Sequence, residues 1–206
     1  MVVPLRRRTR ARELALQFLY MVELSGESAM EELIPFVEHH TKGSRDHKGR
    51  GEVAEFTLAL CRGVIENRPE LDTWIEAIAR NWRLDRMAHL DRNILRIAIF
   101  ELVFEPKTPY KVVINEAIDI AKRFSTAQSG SFVNGILDRA RVLIEEARKD
   151  GDGHPTPPER VELKDAPSPV ATPSRHHPMT QSGDGFTSVS GFTPPVPRAR
   201  QQRDSH

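Results

Sequence analysis

An all-α protein, a compact bundle of six to seven helices with a disordered C-terminal tail, is what the sequence predicts, on three observations. From Ile94 to Phe104 nine of eleven residues are apolar, with only Arg96 and Glu101 intervening. Through most of the first 149 positions apolar residues recur at spacings of three and four, the period of a helix. After Lys149 the composition changes: ten of the fifteen prolines lie between Pro155 and Pro197, and apolar residues are scattered among Gly, Ser and Thr. Such a segment buries too little surface to offset its ordering entropy.

The first helix opens with RRRTRAR at residues 6–12, five arginines in seven positions, and continues with Leu14, Phe18 and Val22 four apart beside Leu19. Positive charge at a helix N-terminus opposes the helix dipole, so stability alone does not explain the cluster. Arginine forks match phosphate geometry, and clustered charges release counterions together, which points to a polyanion. Ser25–Ser28 ends this helix. A weaker second helix carries Met30, Leu33 and Val37, with Pro35 kinking it or marking its true start. Residues 39–51 read as a polar loop. Its His39, His40, Asp46 and His47 lack the i, i+4 spacing that presents two metal ligands on one helix face, so no metal site is expected.

A third helix is predicted from Glu52 to about Asn67, with Phe56, Leu60 and Val64 four apart and Cys61 as a small buried hydrophobe. Pro69 opens a fourth at its first turn, where its missing N–H is harmless. Leu71, Trp74, Ile75, Ile78 and Trp82 form its apolar face. The central helix, Asp91–Phe104, has no Gly or Pro and no period-two alternation, and it outruns the usual strand. Apolar nearly all round, it must be enclosed by protein; it is too short for a membrane span of about 20 residues. Arg96 and Glu101 point about 140° apart at about 100° per residue, so each needs a partner on another helix. Asn115 and Glu116 are the candidates, and an Arg96–Glu116 pair is expected. Glu105–Pro109 stops the central helix and starts the next, with Val113, Ala117, Ile120, Ala121 and Phe124 on its inner face. A polar link at residues 125–130 leads to the last helix, with Phe132, Ile136, Ala140, Leu143 and Ala147.

Across 206 residues the net charge is only +1, so position and not total charge carries any electrostatic signal. A single cysteine excludes an internal disulfide; this suits a reducing cytoplasm, and no export signal follows the N-terminal arginines. No phosphate loop, nucleophile elbow or HExxH is present, so a binding protein without cofactor is expected over an enzyme. Gln17 and Tyr20 on the first helix, and Gln128, Ser129 and Phe132 at the start of the last, have the residue types that read single-stranded RNA by stacking and polar base contacts. Helix N-termini also hold phosphates. Tyr20 and Phe132 are equally acceptable as core residues.

RRRTRARELALQFLY, DRNILRIAIFEL, PYKVVINEAIDIAKRFS and SGSFVNGILDRA, in this order and spacing, resemble the NusB family of bacterial transcription antitermination factors over about residues 5–146. The resemblance implies two small helical bundles, no enzymatic activity, and binding of boxA RNA in ribosomal RNA operons. It implies as partner NusE, a small-subunit ribosomal protein, and attachment to RNA polymerase through further Nus factors. The family's RNA contacts fall on Arg6, Arg7, Arg8, Arg10 and Arg12, on Tyr20, and on Gln128, Ser129 and Phe132; its partner contact falls on Asp91, with Arg92 beside it. Both Asp91 and Arg92 are expected to be exposed ahead of the apolar run. Gln128 stands where many relatives carry an acid, and Ser131 where a Lys often precedes Phe-Val-Asn-Gly. Residues 1–149 thus form the predicted RNA-binding domain and 150–206 the tail, which lies outside these motifs. Two other readings stand beside this one. One is the NusB-like N-terminal domain of a ribosomal RNA cytosine methyltransferase, disfavoured for want of a catalytic domain. The other is a homodimer that covers the RNA face.

Overall fold

Thirteen consecutive residues, Asp91–Val103, are buried in the computed structural model, which describes residues 5–42, 46–79, 82–150 and 154–158. They belong to α5 (His89–Phe104), around which the other helices are arranged: α1 (Leu5–Ser25), α2 (Leu33–Thr41), α3 (His47–Glu66), α4 (Arg68–Ile78), α6 (Tyr110–Phe124) and α7 (Ser129–Asp150). Among the described residues there is no strand, and two short 3-10 turns lie at Glu27–Glu32 and Leu84–Arg86. α1, α2 and α3 pack on one another, as do α5, α6 and α7, with α4 against α5 and α7, and α5 joins the groups by lying against α1 and α3 as well. One apolar core runs through both groups, from Phe18 and Leu60 to Leu95, Ile120 and Leu137. α3 and α5 cross closely at Gly63, where a Cβ would lie 2.1 Å from Phe100 Cζ. No helix among the described residues is long and apolar enough to cross a membrane.

Three boundaries differ from the sequence reading, each for a local reason. α3 starts at His47 rather than Glu52, because the Asp46 carboxylate accepts from the Gly49 N–H at 3.0 Å and caps the first turn. Met30 lies in the preceding 3-10 turn and α2 begins at Leu33, so Pro35 falls in its first turn and marks the start, where no intrahelical hydrogen bond is lost. α4 ends at Ile78, where Ala79 leaves the helical conformation at ψ 56°. Trp82 therefore lies beyond the apolar face assigned to it and is 50% exposed. Of the expected tail, residues 151–153 and 159–206 lie outside the described residues. The His154 ring lies tilted against that of Phe104, centroids 4.9 Å apart and planes at 44°, and meets Glu70 at 2.9 Å, while Pro155 is buried.

The polar residues inside α5 have partners on other helices, though not those expected. Arg96 donates to Asp72 of α4 at 2.7 and 2.9 Å and to Asn93 at 3.1 Å, not to Glu116. Glu101 is fully buried and accepts two bonds, both 2.7 Å, from the Nε and Nη2 of Arg12. The third nitrogen of Arg12 reaches Glu116 of α6 at 3.3 Å. Arg12, expected on the basic face, is thus a core residue with 2% exposure. The signal was available: Arg12 precedes Ala15, Leu16 and Leu19 by three, four and seven positions, on the inner stripe of α1. Asn115, the other candidate partner, is exposed.

A bidentate guanidinium–carboxylate pair offsets desolvation only while both members are present. Arg12→Ala should therefore lower unfolding free energy by about 3–5 kcal/mol, leaving Glu101 uncompensated. Arg10→Ala, at an exposed site, should stay within about 0.5 kcal/mol. Urea unfolding followed by circular dichroism distinguishes them; equal effects would remove Arg12 from its core role.

Candidate nucleic-acid interface

The α1 arginines divide by what they touch. Arg7 is clasped by α3, its Nη1 2.5 Å from Glu52 and its Nη2 2.6 Å from Asp46. A Cβ on Gly49 would lie 2.7 Å from Arg7 Nε, so the close seating of this side chain depends on a glycine there. Hydrogen bonding to Glu52, and the charges of both acids, hold the Arg7 guanidinium above its ordinary pKa. The Gly49 N–H and then Arg7 hold Asp46 below the usual carboxylate range. Arg8 lies over the Phe56 ring at 4.7 Å and donates to Thr108 at 3.0 Å. Arg10 is exposed with one long contact, 3.4 Å, to Glu13. Arg6 is exposed and makes no ion pair among the described residues. Sequence reasoning missed Arg123, in the last turn of α6, which pairs with Glu13 while remaining largely exposed. The signal was Lys122–Arg123, two basic residues closing α6, the helix whose Glu116 also meets Arg12 of α1.

At the other end of the molecule the amino end of α5 lies between α1 and α7. On the α1 side, Tyr20 is half-buried with its ring edge-on to His89 at 6.3 Å, and Gln17 is likewise half-buried. On the α7 side, Ser129 Oγ donates to Asp91 Oδ2 at 2.9 Å and accepts from the Thr126 N–H at 3.2 Å. Ser129 is buried, so this hydroxyl closes the α6–α7 link and is not part of the expected surface edge. Gln128 is exposed, and Phe132 is half-buried against Trp82.

Asp91 and Arg92, expected to be exposed, are each only 8% exposed. The physical reason is that α5 begins two residues earlier, at His89, which places Asp91 inside the first turn. A carboxylate there favours the positive end of the helix dipole. Arg92 donates to Glu23 of α1 at 2.9 Å and to the Leu84 carbonyl at 2.7 Å, and Asn93 donates to the other Glu23 oxygen at 2.8 Å. Asp91 Oδ1 is buried with no hydrogen-bond partner. His89, the first residue of α5, is 51% exposed. Beside it opens a cleft of about 660 Å³ whose walls carry four arginines and four carboxylates, Arg92, Arg96, Glu23 and Asp72 among them. Balanced charge of this kind suits a polar protein surface better than a small anion. Cys61 is buried, which pushes its thiol far up from the ordinary range and away from nucleophilic chemistry.

A model of the NusB family matches residues 9–141. The transcription antitermination protein NusB of Anaeromyxobacter dehalogenans (strain 2CP-1 / ATCC BAA-258) is 45% identical over 143 residues, covering 69% of this chain and 96% of that protein. The protein of the same name from Chloroherpeton thalassium is 34% identical over 216 residues, covering 95% of this chain and 98% of its own length. That similarity extends past Lys149 into the Pro-rich segment, which the four motifs leave out. A crystal structure of antitermination factors NusB and NusE in complex with double-stranded RNA superimposes with a TM-score of 0.57 at 28% identity, covering 66% of this chain and 97% of that one.

Glu23 gives this end of the molecule a pH dependence. Burial raises its pKa, but hydrogen bonding and charge from Arg92, with Arg96 and His89, outweigh it and leave the folded value below the ordinary one. A depressed folded pKa contributes stability that is complete above the unfolded value, about 4.3, and is lost as pH falls through the folded one. Native chain and Glu23→Gln, unfolded in urea from pH 7 down to pH 3, should differ most at neutral pH and converge in acid. A gap that stays constant would remove Glu23 as the titrating anchor.

Proposed function

The chain belongs to the NusB family of transcription antitermination factors, and we propose that it binds boxA-type single-stranded RNA, as in nascent ribosomal RNA transcripts, jointly with the ribosomal protein NusE. Residues 1–149 are the RNA-binding part. One observation carries the reading: among the clustered α1 arginines, Arg6 and Arg10 remain exposed while Arg7, Arg8 and Arg12 are engaged by protein groups. Exposed guanidinium groups at the start of a rigid helix suit a sugar–phosphate backbone, and Arg123 adds a further charge along the same side. Gln128, Phe132, Gln17 and Tyr20 are the base-contacting side chains in this reading. NusE is assigned to the amino end of α5, around His89 and Asp91. The half-exposed His89 ring at the first residue of α5 supports this, together with the charge-balanced cleft beside it. Through NusE and other Nus factors the complex joins RNA polymerase. The methyltransferase reading is disfavoured because the match takes in 96% of the Anaeromyxobacter NusB.

Affinity for a boxA oligonucleotide, measured with and without NusE across salt concentration, tests this. With Arg12 in the core, the four remaining α1 arginines contribute at most about −2.8 to the log–log slope, at about −0.7 per contact. Replacing Arg6 and Arg10 together by Ala should make the slope shallower by about 1.4 without shifting the melting temperature. A slope independent of salt in the native chain would overturn the arginine contact.

A further inference from the structure

Trp82 is the largest exposed apolar side chain among the described residues, 50% exposed, whereas Trp74 is wholly buried. It lies on the link between α4 and the Leu84–Arg86 turn, and its backbone N–H is fixed on the Ala79 carbonyl at 2.8 Å. Its ring meets that of Phe132 edge to face, centroids 5.1 Å apart and planes at 63°. Phe132 stands in the first turn of α7, beside exposed Gln128 and Ser131. At the same turn the Lys122 stem crosses Gly130, which brings a further positive charge to this edge. Arg86, three residues past the neighbouring Arg83, is also exposed.

We infer that Trp82 is a base-stacking residue that extends the edge formed by Gln128 and Phe132 and takes one unpaired base of single-stranded RNA on its open indole face. The inference rests on the RNA-binding reading above. An edge-to-face contact fixes the orientation of an indole while leaving ring area uncovered. A rigid exposed aromatic beside a basic track is how single strands are held without sequence readout, since every base has a π-face. Trp is also favoured at protein interfaces, and Arg83 beside it is paired with Asp85, but the indole ring itself turns to Phe132, next to exposed Gln128 and the turn that the Lys122 stem crosses, and that edge carries no carboxylate on residues 125–132. Burial of the solvent-facing ring area comes only with an occupant, so the fold itself does not require Trp at this position.

The full chain, titrated with a fluorescently labelled single-stranded boxA RNA in the presence of NusE, gives affinity by anisotropy and stacking by quenching of Trp82 emission. Trp82→Ala should weaken RNA binding about tenfold, about 1.4 kcal/mol. Trp82→Phe should recover most of the affinity and abolish the quenching, and NusE affinity should be unchanged in both. Trp82→Ala binding RNA like the native chain, or RNA binding by the native chain without quenching, would overturn the inference and leave the RNA-binding reading standing. A loss confined to NusE affinity would overturn it in favour of a protein contact. Failure of the native chain to bind the RNA at all would remove the reading and the inference together.

Discussion

The bidentate pair between Arg12 and Glu101 sets the frame for the rest of the structure. Taking both charges out of water is unfavourable by several kcal/mol per ion, and only close, two-pronged geometry offsets it. The pair therefore tolerates one rotation of α1 against α5. With about 100° per residue, fixing Arg12 inward places Arg10 about 160° away and Arg6 about 120° away, on the solvent side, as observed. Arg8 falls about 40° from Arg12 and reaches Thr108 and Phe56. Arg7 falls on the remaining side, where α3 meets it with Asp46 and Glu52. One buried contact thus sorts five arginines that look equivalent in sequence.

The same logic extends along α5, whose charged residues reach three other helices. Asp91 holds Ser129 of α7, Arg92 holds Glu23 of α1, Arg96 holds Asp72 of α4, and Glu101 holds Arg12 of α1. Apolar packing is indifferent to small rotations, whereas a buried charge leaves no acceptable alternative to its partner. The hydrophobic run brings the helices together, and these four contacts fix their rotation and register.

Much of the fold was legible because it rests on periodicity: α1, α4, α6 and α7 appear as apolar stripes, and α5 as a run too long for a strand. The start of α3 was not, since HKGRG reads as a loop unless one knows that Asp46 caps it and that Gly49 makes room for Arg7. At the site, the sequence displayed which residue types cluster but not which of them turn inward. Arg12 could have been assigned from its place on the apolar stripe. The burial of Asp91 and Arg92 could not, because it depends on α5 beginning at His89 and on Glu23, a residue 69 positions from Arg92. Pairings at such separation leave no local pattern. Trp82 was misplaced for the opposite reason: it sits at helical spacing from Ile78, but the helix has already ended.

A basic cluster is often treated as a uniform strip in which each charge counts equally. Here the protein's own carboxylates have claimed part of it. For Arg7 to meet a phosphate, an anion must displace Asp46 or Glu52 from a short contact, so its contribution to binding is an exchange of partners and not a net gain of one. Arg6 and Arg10 face no such competition beyond the long contact to Glu13. The run RRRTRAR is accordingly two devices in one stretch. Arg7, Arg8 and Arg12 tie α1 to α3, to the α5–α6 link, and to α5 and α6, and Arg6 and Arg10 are held outward on the helix those ties immobilise. Substitutions in the first set act through the fold and those in the second through the surface, although a reading of charge alone would not separate them.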